Sequence, residues 1–317
     1  MARDTFDPAQ DIPNLNGKVV LVTGGNAGIG KATIRALARH SPARIYLCAR
    51  RREAAETAAA GLRSESRFDR IHILDLDLAT LDSVKKCAAE FNEKENRLDL
   101  LFLNAGVAST APALTREGYE FQFGVNHLGH ALLTQLLMPK MLQTRRDDPK
   151  ADVRVIATAS NAAFAPMLPK GGLALNAMRR PDAFSPIGLY AHSKLANVLF
   201  IRKLSQKYPE ILATAVHPGV VKSDIWGKGA GGLFSILYTP IVWATSVDID
   251  QGAKSQLWCA SAPLGGPTGV ESGQYYQPVG KIRLLKGAAA DQKLADELWE
   301  WTNTELASHG GKGWPAV

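Results

Sequence analysis

From position 18 onward the apolar residues fall into two alternating patterns. Short runs at 18–23 (KVVLVT), 43–49 (ARIYLCA), 71–76, 98–104, 152–159 (DVRVIATA) and 211–217 (ILATAVH) are almost continuously apolar and rich in β-branched residues, which predicts strands buried on both faces. Between them, apolar residues recur at helical spacing over 29–40, 51–64, 81–94, about 119–144 and 189–207. A short last strand is predicted at 274–277 and a closing helix at 291–305. Strands alternating with helices require a parallel sheet covered on both faces, and right-handed crossovers make it doubly wound. The expectation is a single α/β domain over 18–317, with about seven strands and helices on both faces, preceded by a polar leader at 1–17. Two stretches break the alternation, about 162–188 and 220–250. Excursions after strand C-termini in such a sheet lie over the ligand crevice, so both are predicted to form substrate lids.

Composition narrows the class. The chain has 317 residues, 46% of them hydrophobic, enough for one large domain without staples. The formal charge is +7, but the basic residues are scattered in short pairs such as Arg50-Arg51 and Arg179-Arg180. Without a basic stripe interleaved with aromatics, nucleic-acid binding is not expected, whereas a small polyanionic ligand fits the charge. Cys48, Cys87 and Cys259 lie far apart, which suits structural thiols in a reduced, cytoplasmic setting. His127, His130, His192 and His217 have no ligand spacing, so no metal is expected. The first residues lack an apolar signal core. The most apolar long run, 231–247, is short for a membrane span and contains Pro240. It leaves open a lid, a homodimer interface or a peripheral membrane contact.

Candidate chemistry begins where the first strand meets the first helix. Thr23-Gly24-Gly25-Asn26-Ala27-Gly28-Ile29-Gly30 is a glycine loop in strand–loop–helix context, which lets backbone N–H groups and a helix N-terminus approach a pyrophosphate. That predicts a Rossmann-type dinucleotide site. An acid at the end of the second strand would grip the ribose 2′-hydroxyl of NAD; this chain has Ala49-Arg50-Arg51 there. A guanidinium pairs with a 2′-phosphate, so the residues favour NADP(H) over NAD(H).

Further signals follow in chain order: Asn104-Ala105-Gly106 ending the fourth strand, Asn126 inside the long helix, Ser160 ending the fifth strand, and Tyr190-Ala191-His192-Ser193-Lys194 opening the next helix. Tyr190 and Lys194, four apart, share a helical face. With the glycine loop and His217-Pro218-Gly219, this set resembles the short-chain dehydrogenase/reductase family from about Lys18 to the C-terminus. The branch it is most similar to is the retinol-dehydrogenase-like and fungal reductases, on Gly124-Val125-Asn126-His127-Leu128-Gly129-His130 and on the ending Glu297-Leu298-Trp299-Glu300-Trp301-Thr302.

The resemblance implies a catalytic tetrad. Tyr190 would exchange the proton of a carbonyl or alcohol oxygen, Lys194 would lower the phenol's pKa, Ser160 would hold the substrate oxygen, and Asn126 would carry a water relay to Lys194. It also implies cofactor contacts from Gly24, Asn26, Ala27, Gly28, Ile29, Gly30, Arg50, Asp77, Leu78, Asn104, Ala105, Gly106, Asn126, Tyr190, Lys194, Pro218, Gly219, Val221 and Ser223. Singly, each has an ordinary alternative: Ser160 a helix cap, Asp77 a turn acid, Tyr190 a half-buried helix tyrosine. Jointly, at strand ends that converge on one crevice, the catalytic reading outweighs them.

The excursions offer Phe164, Met167, Leu168, Leu173, Met178, Phe184, Trp226, Leu233, Phe234, Leu237, Tyr238 and Trp243 as substrate walls. A hydrophobic small molecule is the expected substrate, with fungal secondary metabolism as a setting. The expected activity is hydride transfer between NADP(H) and a carbonyl or secondary alcohol. The alternatives are an epimerase or dehydratase of the same fold and a non-catalytic NADP-binding regulator.

Overall fold

The apolar runs pair into one sheet of eight strands in the computed structural model, which describes residues 5–221, 247–266 and 268–316. In chain order the strands are β1 (Val19–Thr23), β2 (Arg44–Ala49), β3 (Ile71–Asp75), β4 (Leu100–Leu103), β5 (Arg154–Thr158), β6 (Leu212–Val216), β7 (Tyr275–Gln277) and β8 (Lys281–Ile282). Their spatial order is β3-β2-β1-β4-β5-β6-β7-β8. β1 to β7 pair in parallel, and β8 closes the edge antiparallel to β7, with Tyr276 opposite Ile282. The order reverses between β1 and β4, so the crevice of this open sheet lies beyond their C-terminal ends.

Alternate strand residues feed two core layers, as the side-chain period of two requires. Val20, Val22, Ile45 and Leu47 pack with α2 (Gly28–Ala38), α3 (Arg52–Ser66) and α8 (Ile249–Ser261). Val19, Leu21, Leu101 and Val155 pack with α4 (Leu81–Lys94), α6 (Gly129–Asp147), α7 (Pro186–Lys207) and α9 (Gln292–Ser308). The segment before β1 joins the first layer. It carries the short α1 (Pro8–Asp11) and buries Phe6, Ile12 and Leu15.

Several elements differ from the sequence expectation. α7 starts at Pro186 because Ser185 Oγ accepts from Gly188 N and proline occupies the first turn. The helix expected over 119–144 is interrupted. Glu120 caps α5 (Phe121–Phe123), accepting from Gln122 N at 3.0 Å and Phe123 N at 2.7 Å. A π turn, Gly124–Leu128, then precedes α6. α8 and β8 were not predicted; β8 has only two residues, too few to carry an alternating pattern.

Arg154 fastens α8 to the sheet. It is 2% exposed, pairs with Asp152, and donates to the carbonyls of Cys259 (2.8 Å) and Ala262 (2.8 Å) at the helix C-terminus. Replacing it with methionine orphans a carboxylate and two carbonyls. We expect Arg154→Met to lose about 3–5 kcal/mol of stability, read as a lowered urea midpoint; a midpoint equal to wild type would mean that packing alone seats α8.

Candidate active site

A cleft of about 670 Å³ opens at the switch point. It is lined by the glycine turn, by Arg50 after β2, by Asp77 and Leu78 after β3, by Asn104 to Val107 after β4, by Thr158 to Ala162 after β5, by Tyr190 and Lys194 of α7, and by His217 to Val221 after β6. Of the residues anticipated for the site, only Ser223 lies outside the described residues, and Gly30 and Asn126 stand just behind the wall. The others line one cavity.

The glycine turn is built for close approach. Gly24 has a φ of +65°, which glycine adopts without strain. A Cβ on Gly30 would stand 2.4 Å from the Gly24 carbonyl oxygen and 2.6 Å from Asn104 Nδ2, so no side chain fits between α2 and the turn. Ala27, the residue capping α2, makes no side-chain hydrogen bond, which leaves the first N–H groups of the helix directed at the cleft. Backbone donors and a helix dipole suit a pyrophosphate. Arg50 lies on the cleft wall, exposed, with no carboxylate partner among the described residues.

A chain of hydrogen bonds ties this turn to the opposite wall. Thr23 Oγ1 accepts from Asn104 N and Ala105 N, both at 2.9 Å. Its own proton is shared between the Phe102 carbonyl (3.2 Å) and His130 Nε2 (2.9 Å). His130 Nδ1 lies 3.1 Å from the Asn126 carbonyl, an acceptor only, which places the ring proton on Nδ1. Burial drives the pKa of His130 down to about 4, so the ring is neutral. The Asn126 side chain accepts from Val107 N (2.8 Å) and donates to Val107 O (2.9 Å) and to Ser193 Oγ (2.9 Å). Ser193 Oγ donates to the Tyr190 carbonyl at 2.8 Å. Sequence reasoning assigned no catalytic or connecting role to Ser193, Thr23 or His130. All three are buried connectors, and nothing in a linear sequence marks which hydroxyl or imidazole meets which carbonyl.

Tyr190 and Lys194 are 5% and 2% exposed. Lys194 Nζ donates to the Thr158 carbonyl at 2.8 Å and sits 5.6 Å from the centre of the Tyr190 ring. Burial lowers the Lys194 pKa to about 8. Burial raises that of Tyr190 to about 12, opposed by a side-chain hydrogen bond with Ser160. This differs from the expected lowering by Lys194: the ammonium lies over the ring and binds a carbonyl, so desolvation of the phenolate prevails. Ser160 Oγ also accepts from Ala162 N at 3.2 Å, so it caps the turn Asn161–Phe164 as well as meeting the phenol. Asp77 is likewise a turn acid, accepting from Ala79 N at 3.0 Å, and lines the cleft.

The expected apolar wall is largely absent from the described cleft. Met178 is fully buried in the core, Phe184 lies against His192 with ring centres 4.4 Å apart, and Leu168 and Leu173 pack on the α7 layer. None of these, nor Phe164 or Met167, lines the cavity; Phe121, Val125 and Ile249 do. Trp226, Leu233, Phe234, Leu237, Tyr238 and Trp243 lie outside the described residues. Among the described residues, no helix is long and apolar enough to cross a membrane.

A glycine turn at the switch point, facing a buried tyrosine–lysine pair, is the arrangement of a dinucleotide-dependent oxidoreductase with an open parallel sheet. The chain belongs to the short-chain dehydrogenase/reductase family. The family model for short chain dehydrogenase matches residues 18–170. A short-chain dehydrogenase/reductase of Armillaria gallica is 37% identical over 308 residues, covering 94% of this chain and 93% of its own. Retinol dehydrogenase 12 of Mus musculus is 36% identical, covering 89% and 84%. Among solved structures, an uncharacterised protein from Mycobacterium paratuberculosis is similar with a TM-score of 0.70 at 28% identity, over 94% of this chain and 97% of that one. An NADPH-bound carbonyl reductase from chicken fatty liver shares the fold, with a TM-score of 0.62 at 24% identity, over 86% and 100%.

Holding a buried ammonium has a stability cost that can be measured. The folded pKa of Lys194 lies below its ordinary value of 10.5, so the penalty is complete below about pH 8 and is relieved as pH rises towards 10.5, where the unfolded lysine is still charged. We expect Lys194→Met to be up to about 3 kcal/mol more stable than wild type at pH 7, with an advantage that shrinks at pH 10. Paired melting curves at the two pH values test this. A less stable variant at pH 7 would mean that the bond to Thr158 outweighs desolvation.

Proposed function

We propose that this chain is an NADP(H)-dependent reductase, reversible as a dehydrogenase, acting on a carbonyl or secondary alcohol of a hydrophobic small molecule. The observation that carries the reading is the juxtaposition, in one cleft, of the glycine turn, Arg50, which has no carboxylate partner among the described residues, and the Tyr190–Lys194 pair. The nicotinamide cofactor, when bound, supplies or accepts the hydride. Gly24, Asn26 to Gly30 and the start of α2 would hold its pyrophosphate. Arg50 would take a 2′-phosphate, and Asp77 and Leu78 would border the adenine. Asn104 to Gly106 would lie along a ribose, and Pro218, Gly219 and Val221 would face the carboxamide.

The chain's own groups then divide the work. Ser160 donates a hydrogen bond to the substrate oxygen and holds it beside the Tyr190 hydroxyl. With its pKa raised to about 12, the phenol is protonated at neutral pH and delivers its proton as negative charge develops on a carbonyl oxygen. Lys194 stabilises the phenolate left behind and returns a proton to it, and is itself reprotonated from solvent through the groups around Asn126. Phe121, Val125 and Ile249 keep part of the cleft apolar, which suits a lipophilic substrate. Complete Asn126, Ser160, Tyr190 and Lys194 favour turnover over a purely regulatory role.

Tyr190→Phe is expected to lower kcat at least about a hundredfold on a panel of lipophilic ketones and aldehydes, with cofactor affinity within a few-fold of wild type. Turnover retained by this variant would sink the mechanism. Arg50→Ala is expected to weaken NADPH binding about tenfold or more and to leave NADH binding nearly unchanged. A wild type that binds NADH more tightly than NADPH would overturn the cofactor assignment.

A further inference from the structure

Beside the cleft wall at Ser160 and Asn161 lies an edge of different character. The sequence from 272 to 290 carries Lys281, Arg283 and Lys286 and no acid. Arg283 leaves the β7–β8 edge with its guanidinium carbon 3.9 Å over the Phe164 ring, which itself meets Tyr275 edge-on at 5.0 Å. Arg283 Nη1 donates to Asn161 Oδ1 at 3.1 Å. The same oxygen accepts from Tyr275 OH and from Gln277 Nε2, each at 3.1 Å, so it has no capacity left for a ligand donor. Asn161 follows Ser160 in the chain and lines the cavity with it. One ring face and one nitrogen of the guanidinium are thus fixed, while its remaining donors meet no carboxylate among the described residues.

His217 stands on the same wall and is 9% exposed. Its Nδ1 is buried without a hydrogen-bond partner. An orphaned N–H is the costlier arrangement, so the ring carries its proton on Nε2. Burial and the nearby Arg283 hold the His217 pKa down to about 4, so the ring is neutral and contributes a donor rather than a charge. A preorganised guanidinium and an uncommitted N–H donor beside the cavity make an acceptor-binding pole.

We propose that Arg283, positioned by Asn161 and Phe164 and assisted by His217, forms a subsite for an anionic group, so that the preferred substrate is a carbonyl compound with an apolar body and a carboxylate remote from the reacting carbon. This rests on the reading of the cleft as a carbonyl-reducing site and names the substrate class within it. Phe121 and Val125 then face the apolar body, and Arg283 fixes which end enters first.

The test compares benzoylbutyrate with its methyl ester as ketone substrates for wild type, Arg283→Met and Arg283→Lys. Wild type is expected to favour the acid in kcat/KM. In Arg283→Met the acid-to-ester ratio falls at least about tenfold, mostly through KM, and Arg283→Lys recovers part of it. Equal ratios in wild type and Arg283→Met, or a wild-type preference for the ester, overturn the proposal. If Arg283→Met does not fold, the wild-type ratio is followed against salt: a ratio that falls as ionic strength rises supports the ion pair, and a constant one rejects it. Tryptophan-fluorescence titrations of both compounds against the NADPH complex give the same comparison without turnover. An Arg283-dependent preference for the acid, with no carbonyl consumed, would overturn the reductase reading and leave the subsite standing.

Discussion

One hydroxyl extends the pairing of β1 and β4 past the end of their ladder, where the strand order reverses. Thr23 Oγ1, at the end of β1, accepts the N–H groups of Asn104 and Ala105 beyond β4 and reaches His130 on α6. Parallel strands that diverge at a switch point leave backbone donors with no ladder partner, and buried donors must be satisfied. Thr23 satisfies two of them, and the Asn104 side chain returns a bond to the Thr23 carbonyl at 2.9 Å. Through His130 and Asn126 the same network continues to Ser193 and the backbone of Tyr190. The glycine turn and the helix that carries the phenol are therefore placed by one set of bonds, so a shift in either is felt by the other.

That coupling explains why the long helix needs an irregular turn. A regular helix from 119 to 144 would pair every carbonyl with its own ladder. The π turn Gly124–Leu128 changes the register, the Asn126 carbonyl meets His130, and its side chain spans Val107 and Ser193. Two glycines flank the turn, and both are required for space. A Cβ on Gly124 would strike Thr115 Cγ2 at 2.3 Å, and one on Gly129 would strike the Leu78 carbonyl at 2.7 Å. π turns concentrate at functional sites because they free backbone groups for such work.

The parts legible in the sequence were those set by periodicity and by backbone chemistry. The strands through β7, the principal helices, the glycine turn and the converging residues Asn104, Ser160, Tyr190 and Lys194 follow from apolar runs and from residue types at strand ends. What stayed illegible depends on side-chain direction. The excursion 162–188 reads as a substrate wall because it is apolar, yet Met178 and Leu173 face the core, since the layer over α7 needs covering before a ligand does. Composition cannot tell these two uses apart. The net direction of the Tyr190 pKa was illegible for a related reason: spacing places Lys194 on the same face, but burial, which spacing does not show, raises the phenol.

The two ends of the cleft are consequently built on different principles. The glycine-turn end offers backbone N–H groups, a helix terminus and glycines, features that any chain with this strand order can supply and that carry little information about a second reactant. The proposed anion subsite instead draws on side chains of β7, of the segment after β8 and of the turn after β5, elements that are short and irregular. There Asn161 collects three donors on one oxygen and so fixes an arginine that the fold itself does not neutralise. A half-buried cation held by hydrogen bonds and an aromatic face, with no acid beside it among the described residues, is costly unless something anionic meets it. On the proposed reading, the backbone end would position the hydride donor and the side-chain end would select which molecule presents its carbonyl to Tyr190.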